Sequence, residues 1–363
     1  MSVTGGPPPV GPPGPGPALP VAPGAPAQAW GPRPYPQALR GPWHRWWRPL
    51  LGVAVVLGVG LVGLIALTLV LAVSALLQMG GASGSPSMLD DAWLVSPWGL
   101  LSTNLLLAAG IPVAGLAVWA GQRWRPGFVS SVAGRVRWPL LLASTTRAAL
   151  VLVPALLIGV AVDAAASGAL GDLASFAPEP QWPALALVVL LTTPLQAAGE
   201  EYFFRGWLSQ AIGSWCASPR VAVVLPALVS ATLFALAHGA QDPWLFADRF
   251  AFGLVASVLV WRTGGLEGAI AVHAVNNVVA FAVAIAYGDL EASLGVTSAS
   301  PWVVLLDVAA FATAGWVVVR HADRAGVQRQ VLGGWPGRGL PPAATPRPGA
   351  PGPGHGTTGG EAR

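Results

Sequence analysis

Eight apolar runs between residues 50 and 319, separated by short polar loops, constrain this sequence more than any other feature. A helix needs about 20 residues to cross the hydrocarbon core of a bilayer. Runs near that length lie at 50–77, 98–120, 140–162, 182–213, 221–238, 249–262, 266–287 and 301–319. Inside lipid, every backbone donor and acceptor must be satisfied within the protein, which only helices and closed barrels achieve. The expected fold class is therefore all-α: a polytopic membrane helix bundle of about eight transmembrane helices.

Charge agrees with that class and sets the orientation. Only 9% of the 363 residues are charged, against roughly 25% in a soluble domain. The loop at 121–139 carries Arg123, Arg125, Arg135 and Arg137, and Arg320, Arg324 and Arg329 follow the last run. By contrast, 78–97 holds Asp90 and Asp91 without Arg, and 163–181 holds Asp163, Asp172 and Glu179. The positive-inside rule then places both termini in the cytoplasm of a multi-pass cell-membrane protein. The net charge of +4 belongs to this topology, and no nucleic-acid partner is expected. All nineteen basic residues are Arg, which points to a GC-rich, bacterial source. Cys216 is the only cysteine, so an intramolecular disulfide and a Cys-ligated metal cluster are both excluded.

Residues 1–42 and 326–363 are rich in Pro and Gly and are expected to be disordered tails. Their polyproline tracts would suit a protein partner. Between them lie N-terminal transmembrane helices at 43–180, helices bearing the chemistry at 181–287, and the last helix at 288–325. The cluster Trp43 to Arg48 reads as an interface anchor. Pro194 predicts a kink in the long fourth run.

Ionisable side chains inside a membrane are costly and tend to be paired, turned to a cavity and functional. Glu200, Glu201 and Arg205 lie in the fourth run, His238 ends the fifth, and His273 and Asn277 lie in the seventh. Glu201 and Arg205, four apart, share a helix face and can pair. Glu200 is rotated by about 100° and points elsewhere. A turn at Pro219, 19 residues from both Glu200 and His238, brings those two to similar depth. The short sixth run lets His273 reach the same level, so Glu200, His238, His273 and Asn277 are expected around one cavity. Arg147 and Asp307 also lie in apolar runs and would pair with each other or line a cavity. Gly81 to Gly84 reads as a flexible loop, and no HExxH zinc motif is present.

The stretch Glu200-Glu201-Tyr202-Phe203-Phe204-Arg205-Gly206 matches an EExxxRG pattern, Phe234 to His238 an FxxxH pattern and His273 to Asn277 an HxxxN pattern. In that order and spacing the chain resembles the CAAX protease and bacteriocin-processing family of intramembrane proteases. The resemblance implies an endopeptidase acting on a membrane-associated protein or peptide. Glu200 would activate a water with the help of His238, His273 and Asn277 would stabilise the oxyanion, and Glu201, Arg205 and Phe234 would support the site. It also implies either no required cofactor, the reading favoured here, or a zinc ion held by Glu200, His238 and His273. Bacterial relatives of this kind are linked to bacteriocin maturation or self-immunity. The alternative is a non-catalytic immunity or scaffold protein, or a small-solute transporter, using the same polar residues.

Overall fold

The structure is a computed structural model that describes residues 32–41, 44–79, 91–174 and 176–331. Both the loop at Gly81 to Gly84 and the outer parts of the two tails lie outside those residues. Among the described residues, eight helices are long and apolar enough to span a bilayer, as the hydropathy runs require. They are α1 (Arg48–Met79), α2 (Pro97–Gln122), α3 (Trp138–Ser167), α4 (Trp182–Trp215), α5 (Pro219–Leu236), α6 (Pro243–Thr263), α7 (Glu267–Tyr287) and α8 (Pro301–Arg324). Large apolar side chains such as Leu106, Leu150, Leu190 and Trp302 remain exposed on their outer faces. A water-soluble protein would bury such a belt; here lipid covers it. The chain is a multi-pass membrane protein.

The inner core is built from small residues and aromatic rings. α7 packs between α3 and α4, α5 packs on α6, and α8 closes the far side against α3 and α6. Ala148, Ala231, Ala235, Ala269 and Ala314 are fully buried, and such small side chains let helices approach closely where lipid offers no hydrophobic drive. The tightest approach lies beside the chemistry. A Cβ on Gly199 would collide with the carbonyl of Leu107, and one on Gly110 with the carbonyl of Gly199 itself. α2 and α4 therefore touch backbone to backbone one residue before Glu200.

One local expectation is corrected. The sixth helix, expected over 249–262, starts at Pro243, where the Asp242 side chain accepts from the Leu245 N–H at 2.7 Å and caps the helix. Asp248 and Arg249 hid that first turn from a hydropathy reading. The fourth helix carries Pro194 in its interior, and a π-helical stretch that the sequence did not predict follows at Tyr202–Leu208, eight residues beyond it. One such insertion re-aims side chains and is often found at functional sites. Of the two outcomes expected for Arg147 and Asp307, pairing is not the one formed: Arg147 turns back to the carbonyl of Ala143 at 2.8 Å, and Asp307 lines a cavity.

The tail boundaries are corrected as well. Residues 32–41, expected to be part of a disordered tail, fold under the bundle. β1 (Arg33–Pro34) pairs antiparallel with β2 (Gln330–Val331), which the sequence placed in the other tail. Tyr35, Gln37 and Leu39 are buried. The Tyr35 hydroxyl donates to the carbonyl of Val129, and Gln37 Nε2 donates to the carbonyl of Cys216 at 2.8 Å. Arg137 and Glu267 form an ion pair of 2.6 Å at the same end, where Arg137 also donates to the carbonyls of Thr263 and Gln328. Glu267 is buried in this network.

The Arg-rich loops, the tail segments and the α4–α5 and α6–α7 turns thus share one end of the bundle. The opposite end is knit by Asp242, whose N–H donates to the Thr297 carbonyl at 2.7 Å, and by Glu179, whose carboxylate accepts from the Leu290 N–H at 3.2 Å.

Candidate active site

Three helix segments place the site. The α-helical turn of α4 just before its π-helical stretch presents Glu200 and Glu201, and that stretch turns Arg205 back toward them. That stretch frees backbone carbonyls, and Ser230 on α5 donates to the one at Phe204 at 3.0 Å. α5 ends at Leu236, where its last carbonyls lack helical partners. Two side chains fill them: His238 Nδ1 bonds the Phe234 carbonyl at 2.8 Å, and Gln241 Nε2 the Ala235 carbonyl at 2.7 Å. His238 therefore sits in the turn beyond the helix rather than within it. α7 contributes His273 and Asn277, one turn apart on one face.

Glu200, Phe234, His238, His273 and Asn277 line a single cavity of about 480 Å³. That size suits a small ligand or peptide segment. Ser293, Leu294 and Val296 belong to the same wall, so the cavity reaches the end of the bundle opposite the Arg-rich loops. Asp248 and Asp307 complete it.

Beneath the cavity lies a dry ion-pair layer. Glu201 and Arg205 are almost fully buried, and Arg205 Nη1 donates to Glu201 Oε1 at 3.0 Å. The same Glu201 oxygen accepts from His273 Nδ1 at 2.8 Å. The Arg205 guanidinium lies 4.1 Å from the centre of the Phe234 ring. Phe234 also meets His238 and His273 edge to face, with ring centres 4.7 and 5.8 Å away. One aromatic ring thus packs against the cation and both imidazoles.

Glu200 is held differently. Its Oε1 accepts from Gln196 Nε2 at 2.8 Å. Its Oε2 lies 3.4 Å from His273 Nε2 without a hydrogen bond and has no other partner. Gln196, which the motif reading missed, in turn accepts from Asn277 Nδ2 at 3.2 Å. Asn277 Oδ1 accepts from Asn276 Nδ2 at 3.2 Å. The signal for Gln196 was a lone amide one helical turn before Glu200 in an otherwise apolar run.

A carbonyl only accepts, so His238 Nδ1 carries the proton in its bond to Phe234, and Nε2 is left with a lone pair. His238 is exposed and lines the cavity. Burial pushes its imidazole below the ordinary value of 6.5, opposed by the Phe234 carbonyl and the Glu200 carboxylate.

The donors do not fit a three-ligand zinc set. No group of three or more His, Cys, Asp and Glu among the described residues is arranged to hold a metal ion.

Comparison with known proteins places this region. Residues 181–279, from α4 into α7, match the family model of the type II CAAX prenyl endopeptidase Rce1-like proteins. The resemblance drawn from the three motifs is borne out. The uncharacterized protein YyaK of Bacillus subtilis (strain 168) is 31% identical over 99 residues, which are 26% of this chain and 32% of that protein. The chain thus spans about a third of the length of the curated relative it matches. No solved structure matches.

Proposed function

We propose, taking the CAAX-type protease match over residues 181–279 as premise, that this chain is an intramembrane endopeptidase that hydrolyses a peptide bond with a water activated by Glu200. The observation that carries this reading is the buried, unpartnered Oε2 of Glu200, a residue that lines one cavity with His238, His273 and Asn277. A carboxylate oxygen left unpaired inside a membrane protein is expensive unless water or substrate completes it.

In this mechanism a water bridges Glu200 Oε2 and His238 Nε2. Glu200 removes one proton as the water attacks the scissile carbonyl, and the lone pair on His238 Nε2 accepts the other hydrogen and aims the water. The negative charge then develops on the former carbonyl oxygen, where Asn277 Nδ2 has a second N–H to offer. His273 Nδ1 is committed to Glu201, so a donation from Nε2 to the same oxygen requires the imidazolium form. Glu200 returns its proton to the leaving amine. Buried Glu201, Arg205 and Phe234 hold the two imidazoles in place. No metal enters these steps, because no group of three or more His, Cys, Asp and Glu among the described residues is arranged to hold one.

The substrate is a membrane-associated protein or peptide whose segment fits a cavity walled by Leu100, Leu107, Leu156, Phe281 and Phe311. The Arg-rich end lies in the cytoplasm with both termini, as the charge bias requires, and the cavity opens toward the other side. A bacterial cell membrane is the proposed setting.

The reading is tested with purified protein in liposomes and a library of membrane-associated peptides, in water enriched in ¹⁸O. Hydrolysis predicts internal cleavage with one ¹⁸O in each new carboxyl group. Binding of peptides without cleavage would favour the immunity or scaffold alternative.

A further inference from the structure

Gln196 touches both halves of the proposed chemistry, the base and the oxyanion donor. Its side chain is 6% exposed and lies on the cavity wall. Hydrogen-bond logic fixes the direction of the whole chain of groups. An ionised carboxylate only accepts, so Gln196 must turn Nε2 to Glu200 Oε1. Its Oε1 then needs a donor, and Asn277 can answer only with Nδ2. Asn277 Oδ1 is thereby turned away, where Asn276 Nδ2 meets it. The accepting Oε1 of Glu200 thus sets, through one intervening amide, which end of Asn277 lies along the cavity.

We propose that Gln196 is a positioning residue that ties Oε1 of Glu200 to Asn277, so that base and oxyanion donor are held in register by one amide. The inference rests on the endopeptidase reading and deepens it. Gln196 makes no bond in the reaction; it acts through its two neighbours. The next polar pair along α4 does not share this role, because Thr192 and Thr193 are both engaged by Asn104 on α2, at 2.8 and 3.1 Å.

The test uses Gln196→Met, close in shape but without an amide, in the full chain in liposomes. Gln196→Asn, too short to bridge, serves if the Met variant does not fold. Misalignment of reacting groups by about an ångström costs on the order of 100-fold in rate. We expect kcat to fall by about 10- to 100-fold on that basis, with KM little changed, since the substrate walls are intact. The second readout is a double-mutant cycle with Asn277→Ala. Groups acting as one unit give non-additive losses, so Gln196→Met should cost far less in the Asn277→Ala background than in the wild type. Full kcat in the Gln196 variants, or losses that simply multiply, would overturn the inference. Glu200→Gln run in parallel separates the two levels. If it is inactive while Gln196→Met is fully active, only the positioning role fails. If Glu200→Gln cleaves like the wild type, the endopeptidase mechanism itself fails.

Discussion

His273 Nδ1 donates to Glu201 Oε1 at 2.8 Å in a layer closed to solvent, and the same carboxylate oxygen takes the Arg205 guanidinium at 3.0 Å. Glu201 therefore fixes the ring angle of His273 and neutralises Arg205 at once. Removing one partner of a buried pair leaves an uncompensated charge, which costs about 3–5 kcal/mol. Glu201→Gln should lower the melting temperature of the detergent-solubilised protein sharply and reduce cleavage with it. Arg205→Met should melt early for a different reason, because Glu201 is then left unpaired and Phe234 loses its cation. Normal melting of both variants would contradict a structural role for the pair.

His238 supplies the pH prediction. Burial lowers its imidazole below 6.5, so the neutral ring that accepts from the water persists as pH falls through that value. Protonation, and with it loss of the lone pair, comes only at lower pH. The profile of kcat/KM, which reports groups of the free enzyme, should hold its plateau through pH 6.5 and fall only below it. An acid limb centred well above 6.5 would count against neutral His238 as the acceptor.

Gly199 tests the backbone contact that places Glu200. A methyl group there would meet the Leu107 carbonyl and lie 2.8 Å from the Ala108 Cα. Backbone cannot yield as a flexible side chain can, and overpacking typically costs about 1–3 kcal/mol. Gly199→Ala should therefore both destabilise the fold and shift Glu200, seen as a lower melting point with a disproportionate fall in kcat. Unchanged melting would show that α2 and α4 are free to separate.

Tyr35 tests the segment under the bundle. Tyr35→Phe keeps the buried ring but leaves the Val129 carbonyl without its donor, a loss of about 1–3 kcal/mol. The melting temperature should fall while KM stays unchanged, because the cavity lies toward the other end. Thermal unfolding alongside cleavage kinetics checks both halves.

How far the sequence revealed this arrangement follows from what local pattern can encode. The eight helices were legible because a bilayer demands length and apolarity within each run. The chemistry was legible because Glu200, His238 and His273 are anomalies in that setting, and their spacing carried a family resemblance. Asp248 lay hidden because a charged pair shortened the apparent sixth helix. Gln196 was passed over because a single uncharged amide is cheap to bury with a partner, and its partners come from 4 and 81 positions away. The burial of Tyr35 and Leu39 depends on contacts about 90 residues and more along the chain, which a Pro-rich context conceals. The π-helical stretch at Tyr202–Leu208 leaves no compositional trace.

The central claim is that Glu200 activates the attacking water, and the most direct measurement is the single-turnover cleavage rate of Glu200→Gln against wild type in liposomes, each with and without a strong chelator. A lost general base costs about 10²- to 10⁴-fold. We predict a loss of that order with normal folding, and wild-type cleavage indifferent to the chelator. A Glu200→Gln rate equal to the wild type, or wild-type activity abolished by the chelator and restored by zinc, would contradict the account.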